Sequence, residues 1–318
     1  MEPQPPITTQ RRRHLIAIAD LDRAAVERIM DTAEGFESVM QRDVKKVPTL
    51  RGRTVMNVFF ESSTRTSSSF ELAAKRLSAD TMSLKASGSS VDKGESLKDT
   101  ILTLSAYDPD VIVIRHSQIG APTLVTRYTD AHVVNAGDGK HQHPTQALLD
   151  LYTMREAFGR LDGLQVAIVG DVAHSRVARS LVQALELVGS DAILVGPPTL
   201  VPTGLAPVSH DIASIADADV IYVLRMQKER MLPGASFVPS LGEYTARWGI
   251  TPERVAAGQR VMHPGPMNRG VELDPRVADS PASLITDQVR AGLVVRMAVL
   301  YDLLTAGPVA VEAAVGVA

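Results

Sequence analysis

The sequence predicts an α/β protein with two Rossmann-like domains, each a mostly parallel sheet flanked by helices. Short apolar and β-branched runs alternate with longer stretches of helical periodicity, which is typical of parallel sheets covered on both faces. The length of 318 residues agrees with two domains, at roughly 150 residues per domain. With 45% hydrophobic and 22% charged residues, the chain has a globular composition that can bury two cores.

The first half begins with an amphipathic helix over 20–41, in which apolar residues recur at near-helical spacing. The run TVMNVFF at 54–60 predicts a buried strand, and a helical pattern through Phe70, Leu72 and Leu77 follows it. The later strands of this half are predicted at 81–84, 111–114 and 132–135, and the later helices at 96–106, 122–129 and 144–157.

The second half repeats the alternation. Its strands are predicted at 166–169, 192–195, 220–224 and 260–262, and its helices at 175–188 and 283–304. We place the domain boundary near residue 150, so that one domain covers 1–150 and the other covers 151–282. The last helix, about 283–304, is expected to pack back on the first domain.

Composition and charge argue against several classes of protein. The net charge of −3 argues against general nucleic-acid binding, and no apolar run approaches the roughly 18 residues of a membrane span. The opening residues, 1–6, lack a basic and then apolar secretory pattern. The absence of cysteine removes disulfides, thiolate metal sites and cysteine nucleophiles, and it fits a cytoplasmic location.

The first candidate site residues follow the strand TVMNVFF directly and precede a helix. They are Ser63, Thr64, Arg65 and Thr66. Backbone N–H groups at a helix N-terminus attract anions, and hydroxyl groups with an arginine fork add the donors that a phosphate uses. The alternative is that Ser63 only caps the helix and that Arg65 is a surface charge.

Two further strand ends of the first half carry polar side chains. Arg115 and His116 end the strand VIVIR, and His143 and Gln146 lie at the start of the helix that Pro144 opens. The carboxyl ends of parallel strands meet at one edge of a sheet, so these residues should converge with Arg65. Together they predict a site for a phosphate and a carbonyl group, with His143 and Gln146 polarising the carbonyl.

Two alternatives for these segments are less favoured. His141 and His143 suggest a metal, but no carboxylate cluster or cysteine completes a site. The segment GDVAHSR, beginning at Gly170, is a strand, glycine turn and helix, so an NAD-dependent oxidoreductase is a competing hypothesis. It lacks the G-x-G-x-x-G pattern that brings the backbone close to a pyrophosphate. We expect no metal and no cofactor.

Seven segments together give the chain a family likeness over about 13–304. They are FFESSTRTSSSFE, SSVDKGES, RH, NAGDGKHQHPTQALLDLYT, VGDVAHSRVARS, RMQKER and MHPGPMNRG. In this order they resemble the catalytic chains of aspartate carbamoyltransferases. The S-T-R-T and H-P-T-Q motifs are shared with ornithine carbamoyltransferases. Those relatives typically have H-C-L-P where this chain has H-P-G-P, and this chain has no cysteine.

The resemblance implies roles for individual residues. Those implied for carbamoyl phosphate are Ser63, Thr64, Arg65, Thr66, Arg115, His143, Gln146, Gly265 and Pro266. Those implied for aspartate are Lys93, Arg176, Arg225 and Gln227. Catalysis is expected to involve Arg65, Thr66, Lys93, Arg115 and His143. The segment 264–266 offers backbone carbonyls to the carbamoyl amino group and the incoming amine.

The resemblance also implies an assembly. Ser89 and Lys93 lie in a loop that in relatives reaches into a neighbouring subunit's site, so a homotrimer with shared active sites is expected. By spacing alone this loop is an ordinary solvated loop. Regulatory chains or a dihydroorotase are possible further partners. The chain departs from its relatives at Ser67, at Met226 and at Gly265, where the backbone carbonyl persists but the loop gains freedom.

The predicted activity is transfer of the carbamoyl group of carbamoyl phosphate to L-aspartate, which gives N-carbamoyl-L-aspartate and phosphate in pyrimidine biosynthesis. We expect direct attack by the neutral amine, with Arg115, His143 and Thr66 stabilising the oxygen that gains charge. Holding two mutually repelling anions together supplies much of the rate. The alternative within the class is a carbamoyltransferase for ornithine or another amine, and a non-catalytic subunit of the same fold is a third possibility.

Overall fold

The computed structural model describes residues 13–85, 94–227, 238 and 240–305. The first half of the chain forms a four-stranded sheet with helices between the strands. Its elements are α1 (Arg23–Met40), β1 (Thr54–Phe59), α2 (Thr64–Arg76), β2 (Asp80–Lys85), α3 (Leu97–Ser105), β3 (Val111–His116), α4 (Ala121–Val125), β4 (His132–Asp138) and α5 (Pro144–Phe158). All strand pairs are parallel, in the order β2-β1-β3-β4.

The second half forms a five-stranded parallel sheet in the order β7-β6-β5-β8-β9. Its elements are β5 (Gln165–Val169), α6 (Arg176–Val188), β6 (Asp191–Val195), β7 (Val208–Ser209), β8 (Val220–Val223), α7 (Leu241–Trp248), β9 (Arg260–Met262), α8 (Pro275–Ala278) and α9 (Ile285–Leu304). The prediction of an α/β protein with two parallel sheets flanked by helices is therefore confirmed.

Buried apolar side chains explain why the strands sit inside. Residues 55–59 of β1 and 111–114 of β3 are all buried, and all except Asn57 are apolar, as is typical of strands covered on both faces. Helix α9 packs against α1, α2 and α5, which belong to the first half of the chain. Within the described residues, every helix is too short or too polar to span a lipid bilayer.

The structure differs from the prediction where the local signal is weak. Helix α4 ends at Val125 rather than at residue 129, and β4 continues to Asp138 rather than ending at residue 135. The sequence did not predict β7, α7 or α8, which are two, eight and four residues long. Leu72, which we included in the apolar pattern of α2, is 40% exposed.

The strand order creates two crevices. The chain passes from β1 to β2 on one side and then to β3 on the other, and it does the same from β5 to β6 and then β8. Connections leave adjacent strands in opposite directions at such points, which opens a crevice at the carboxyl edge of the sheet. The segments after β1, β3, β5 and β8 line these crevices, and they hold most of the predicted site residues.

Candidate active site

The segment after β1 forms the start of α2. Ser63 is the N-cap, and its Oγ accepts a hydrogen bond from Thr66 N at 3.4 Å. Thr64 and Arg65 are exposed, whereas Thr66 is buried. Capping and anion binding are compatible here, because the first turn of a helix has more N–H groups than one side chain can satisfy.

The Arg65 guanidinium lies against the segment after β9. A Cβ at Gly265 would stand 3.0 Å from Arg65 Cζ, so only the absent side chain of Gly265 allows this approach. Partial burial, and then the charges of Arg225 and Arg115, lower the pKa of Arg65. These mutual effects mean that arginines from both halves of the chain face one another.

The carboxylate of Glu61 joins Arg115 to a further arginine, Arg176. Arg115 Nη2 donates to Glu61 Oε1 at 2.7 Å, and Arg176 Nη2 donates to Oε1 at 2.8 Å and to Oε2 at 2.6 Å. Burial and the charge of Arg176 lower the pKa of Arg115, which Glu61 opposes. Burial alone would raise the pKa of Glu61, but the two guanidinium groups outweigh it and lower that pKa.

Arg176 reaches this point over a glycine. It is the first residue of α6, and its side chain is only 3% exposed. A Cβ at Gly137 would stand 2.5 Å from Arg176 Nη1, and Gly137 has a φ of +117°. Gly137 in β4 thus leaves the space through which an arginine of the second half enters the first crevice.

His143 and Gln146 lie at the start of α5, as predicted. His143 is 4% exposed, and its backbone N donates to Ser180 Oγ at 2.8 Å. Gln146 is 8% exposed, and its Nε2 donates to Asp150 Oδ1 at 3.0 Å. The backbone of His143 and the side chain of Gln146 are thus held by hydrogen bonds within the protein, which limits the orientations available to the Gln146 carboxamide.

Arg225 and Gln227 follow β8 and are tied to the turn after β5. Arg225 Nη2 lies 3.5 Å from Gln227 Oε1, and Gln227 N donates to Asp171 Oδ2 at 3.0 Å. The other oxygen of Asp171 accepts from His174 N at 3.2 Å, and His174 Nδ1 lies 2.7 Å from it. Asp171 therefore fixes the backbone at the second crevice, where Arg225 and the backbone of Arg176 lie.

The segment after β9 carries the last predicted residues. The peptide bond between Gly265 and Pro266 is cis, and Gly265 has a φ of +61°. Gly265 N donates to His263 Nδ1 at 2.8 Å, and His263 N donates to Gln288 Oε1 at 2.9 Å. A buried histidine and a glutamine of α9 thereby hold this segment against Arg65.

Two predicted site residues, Ser89 and Lys93, lie outside the described residues. Among the residues that are described, no group of His, Asp and Glu side chains could hold a metal ion. His141, which we considered as a metal ligand, lies with Nδ1 3.1 Å from Asp138 Oδ2. This is a single contact between a half-exposed ring and a buried carboxylate.

Two family models match the chain. Residues 13–156 match the carbamoyl-phosphate binding domain of aspartate/ornithine carbamoyltransferases, and residues 162–303 match their aspartate/ornithine binding domain. The chain belongs to the aspartate/ornithine carbamoyltransferase family.

Two similar proteins are aspartate carbamoyltransferase catalytic subunits. The aspartate carbamoyltransferase catalytic subunit of Salinispora arenicola is 55% identical over 303 residues, which cover 92% of this chain and 98% of that protein. The catalytic subunit of Thermobifida fusca is 54% identical over 300 residues, which cover 92% and 95% of the two chains.

Solved structures of this family share the fold. Aspartate transcarbamoylase from Trypanosoma cruzi, in complex with carbamoyl phosphate and aspartate, has a TM-score of 0.85 at 30% identity, covering 95% of this chain and 99% of that chain. The catalytic subunit of M. jannaschii aspartate transcarbamoylase has a TM-score of 0.81 at 37% identity, covering 92% and 98%.

The structure brings further polar residues to this candidate site that sequence reasoning did not assign. Glu61 lies inside the motif FFESSTRT, and its signal was a carboxylate directly after a buried strand. Asp171 follows β5 in the same way. Ser180 gave no signal, because a serine on an amphipathic helix is ordinary and its contact with His143 exists only in the fold.

Proposed function

We propose that this chain is an aspartate carbamoyltransferase catalytic subunit. It transfers the carbamoyl group of carbamoyl phosphate to the amino group of L-aspartate, and it releases N-carbamoyl-L-aspartate and phosphate in pyrimidine biosynthesis. The observation that carries this proposal is the convergence of Arg65, Arg115, Arg176 and Arg225 from both sheets around Glu61 and Gly265. Two anionic substrates that repel each other need such a concentration of positive charge.

In this proposal carbamoyl phosphate binds at the first crevice. The phosphate lies on the first turn of α2, with Ser63, Thr64, Arg65 and Thr66 as donors. Arg115 and His143 donate to the carbonyl oxygen. We had expected Gln146 to polarise that oxygen as well, but its Nε2 donates to Asp150. Its Oε1, with the carbonyls of the segment 264–266, instead accepts from the amino group. Glu61 already holds Arg115 at the crevice, which supports this placement.

Aspartate binds at the second crevice, with its carboxylates on Arg176, Arg225 and Gln227 and with Lys93 as a further contact. Arginine forks suit carboxylates because two parallel N–H groups match two oxygens. An ornithine side chain is cationic, and the arginines after β5 and β8 would repel it.

The reaction is a direct acyl transfer. The nitrogen lone pair of the neutral amine forms a bond to the carbamoyl carbon, and the carbonyl oxygen gains charge that Arg115, His143 and Thr66 stabilise. The bond from that carbon to the phosphate oxygen then breaks. The amine proton passes to the departing phosphate, so that no covalent enzyme intermediate and no cofactor are needed.

Three broader features belong to the proposal. Residues 1–150, together with the helix at about 283–304, form the carbamoyl phosphate-binding domain, and 151–282 form the aspartate-binding domain. Packing of α9 on α1, α2 and α5 supports this division. We further propose a cytoplasmic homotrimer in which Ser89 and Lys93 complete a neighbouring subunit's site.

Phosphate release from carbamoyl phosphate tests the function, with L-aspartate or L-ornithine as acceptor and without metal or nucleotide. We expect release with aspartate only, and carbamoyl aspartate as the product. Release with ornithine only would retain the carbamoyl phosphate site and refute the assignment of Arg176, Arg225 and Gln227. A folded protein that is inactive with both amines would indicate a non-catalytic subunit.

A further inference from the structure

A buried carboxylate, Asp150, lies one turn after Gln146 on α5 and is outside the set of residues assigned to the substrates. Its side chain has no solvent exposure. Oδ1 accepts from Gln146 Nε2 at 3.0 Å and from Gln288 Nε2 at 2.7 Å, and Oδ2 accepts from the Tyr222 hydroxyl at 2.7 Å. The three donors belong to α5, α9 and β8, so one side chain joins both halves of the chain.

The contact with Gln146 determines which end of its carboxamide can meet a substrate. A carboxamide has a donor NH2 at one end and an acceptor oxygen at the other. Because Nε2 donates to Asp150, Oε1 is the end that remains for a ligand at the start of α5. A carbonyl acceptor suits the amino group of carbamoyl phosphate and cannot bind its carbonyl oxygen.

The contact with Gln288 extends to a second segment of the site. Gln288 donates to Asp150 through Nε2 and accepts from His263 N through Oε1 at 2.9 Å. His263 in turn accepts from Gly265 N. The acceptor oxygen of Asp150 therefore orients Gln146 directly and the segment 263–266 through one glutamine.

A carboxylic acid at this buried position costs folding free energy, because its charged form is removed from water. Burial raises the pKa of Asp150 to about 7, although hydrogen bonds from Tyr222, Gln288 and Gln146 and the charge of Arg296 lower it. An apolar side chain of similar size avoids that desolvation cost. A role in orienting donors accounts for the acid where packing alone does not.

We propose that Asp150 is a positioning residue for the carbamoyl amino group, and that its Oδ1 fixes the Gln146 carboxamide and, through Gln288, the segment 263–266. This inference rests on the proposed function, because carbamoyl phosphate supplies the amino group that these acceptors would bind. Asp150 itself touches no substrate and acts through the residues that do.

A double-mutant cycle on kcat/KM for carbamoyl phosphate, at saturating aspartate, tests the proposal. Asp150→Leu has a similar size and no acceptor, and it is measured in the wild-type and Gln146→Ala backgrounds. We expect a loss of about tenfold to a hundredfold in the wild-type background, as misplacement of a reacting group produces. In the Gln146→Ala background, Asp150→Leu should lower kcat/KM by less than about threefold. The side chain that Asp150 positions is already absent there, so the effects of the two substitutions are not additive.

Two further variants separate positioning from packing. Asp150→Asn keeps an acceptor oxygen, so it should restore most of the kcat/KM that Asp150→Leu loses. Tyr222→Phe removes the donor to Oδ2 only, and it should lower thermal stability while kcat/KM stays within about threefold, since a hydrogen bond of this kind contributes mainly to stability. If Asp150→Leu does not fold, Asp150→Ala replaces it in both backgrounds.

Equal losses in both backgrounds, or an Asn variant as impaired as the Leu variant, would overturn the proposal. Assays of the wild-type protein distinguish a wrong role for Asp150 from a wrong proposed function. If only ornithine is carbamoylated, the same cycle with ornithine still tests Asp150. If neither amine reacts, calorimetric binding of carbamoyl phosphate replaces the rate, and absence of binding to the wild type refutes both proposals.

Discussion

At the scale of single residues, parts of the site are held by hydrogen bonds before any substrate arrives. His143 is buried and held through its backbone by Ser180, and Gln146 is held by Asp150. Such preorganisation is what makes a donor effective in a transition state, because no reorganisation is needed when charge develops.

The first prediction concerns His143. We expect His143→Ala to lower kcat by about a hundredfold to a thousandfold, as loss of one oxyanion donor commonly does. Binding of carbamoyl phosphate should weaken much less, because the phosphate contacts remain. Steady-state kinetics with calorimetric binding checks this, and His141→Ala, a half-exposed neighbour, is the control. An unchanged kcat would remove His143 from the mechanism.

The second prediction uses the pKa of Asp150. Burial, opposed by Tyr222, Gln288, Gln146 and Arg296, raises this pKa from 3.8 to about 7. Between these values the folded state binds a proton that the unfolded state has lost, so this contribution to stability is present at low pH. It declines as pH rises, by at most about 1.4 kcal/mol per pH unit.

The asparagine side chain cannot titrate. As the pH rises toward 7, the free energy of unfolding of Asp150→Asn should therefore increase relative to that of the wild type. Chemical denaturation of both proteins at several pH values measures the difference. A difference that is constant from acid to neutral pH would show that folding does not shift the pKa of Asp150.

At the scale of elements, positions without a side chain allow the two halves of the chain to approach. Gly137 in β4 lies under Arg176, and Gly265 lies against Arg65. The sequence predicted that this strand ends at residue 135, and the structure continues β4 to Asp138. The missing side chain of Gly137 leaves room for the guanidinium of Arg176, and its positive φ sets the path of the backbone.

The third prediction is that Gly137→Ala impairs aspartate binding more than it impairs folding. The new Cβ would stand 2.5 Å from Arg176 Nη1, so the guanidinium must move away from Glu61. We expect KM for aspartate to rise about tenfold or more, as small misplacements of positioning groups do. Gly258→Ala is the control, because Gly258 also has positive φ, +91°, with no atom near its Cβ position. Similar KM values for the two variants would contradict this account.

At the scale of the whole molecule, two sheets are joined by polar contacts at their carboxyl edges and by α9. Glu61 and Arg176 are 115 residues apart in the chain, and Asp150 and Tyr222 of β8 are 72 apart. These contacts bring the crevices of both sheets to one place, where two substrates can meet.

The fourth prediction tests whether sites are shared between subunits. We expect Lys93→Ala and His143→Ala to be nearly inactive as separate trimers. Mixed trimers should regain activity, because one site in a hybrid can receive Lys93 and His143 from different chains. Rates measured after dissociation and mixing check this, with each variant mixed with itself as control. Properly mixed hybrids without recovery would argue against shared sites.

Much of this protein was determined by the sequence alone. The alternation of apolar runs gave the α/β class, the parallel sheets and the main strands and helices, because strand and helix periodicities are local properties. The order of motifs indicated the family. The polar residues after β1, at the end of β3 and at the start of α5 were predicted as site residues because parallel strands end at one edge of a sheet, and their roles stay a prediction.

Only the tertiary structure decided which polar groups meet. The sequence gives Glu61 no partner, presents Asp150 as one acid in an apolar helix, and places Gly137 just after the predicted strand at 132–135. Their partners are Arg176, which meets both Glu61 and Gly137, and Tyr222 with Gln288, which meet Asp150. Each partner lies far along the chain, and contact at that distance depends on how two sheets and α9 pack, a property no local pattern encodes.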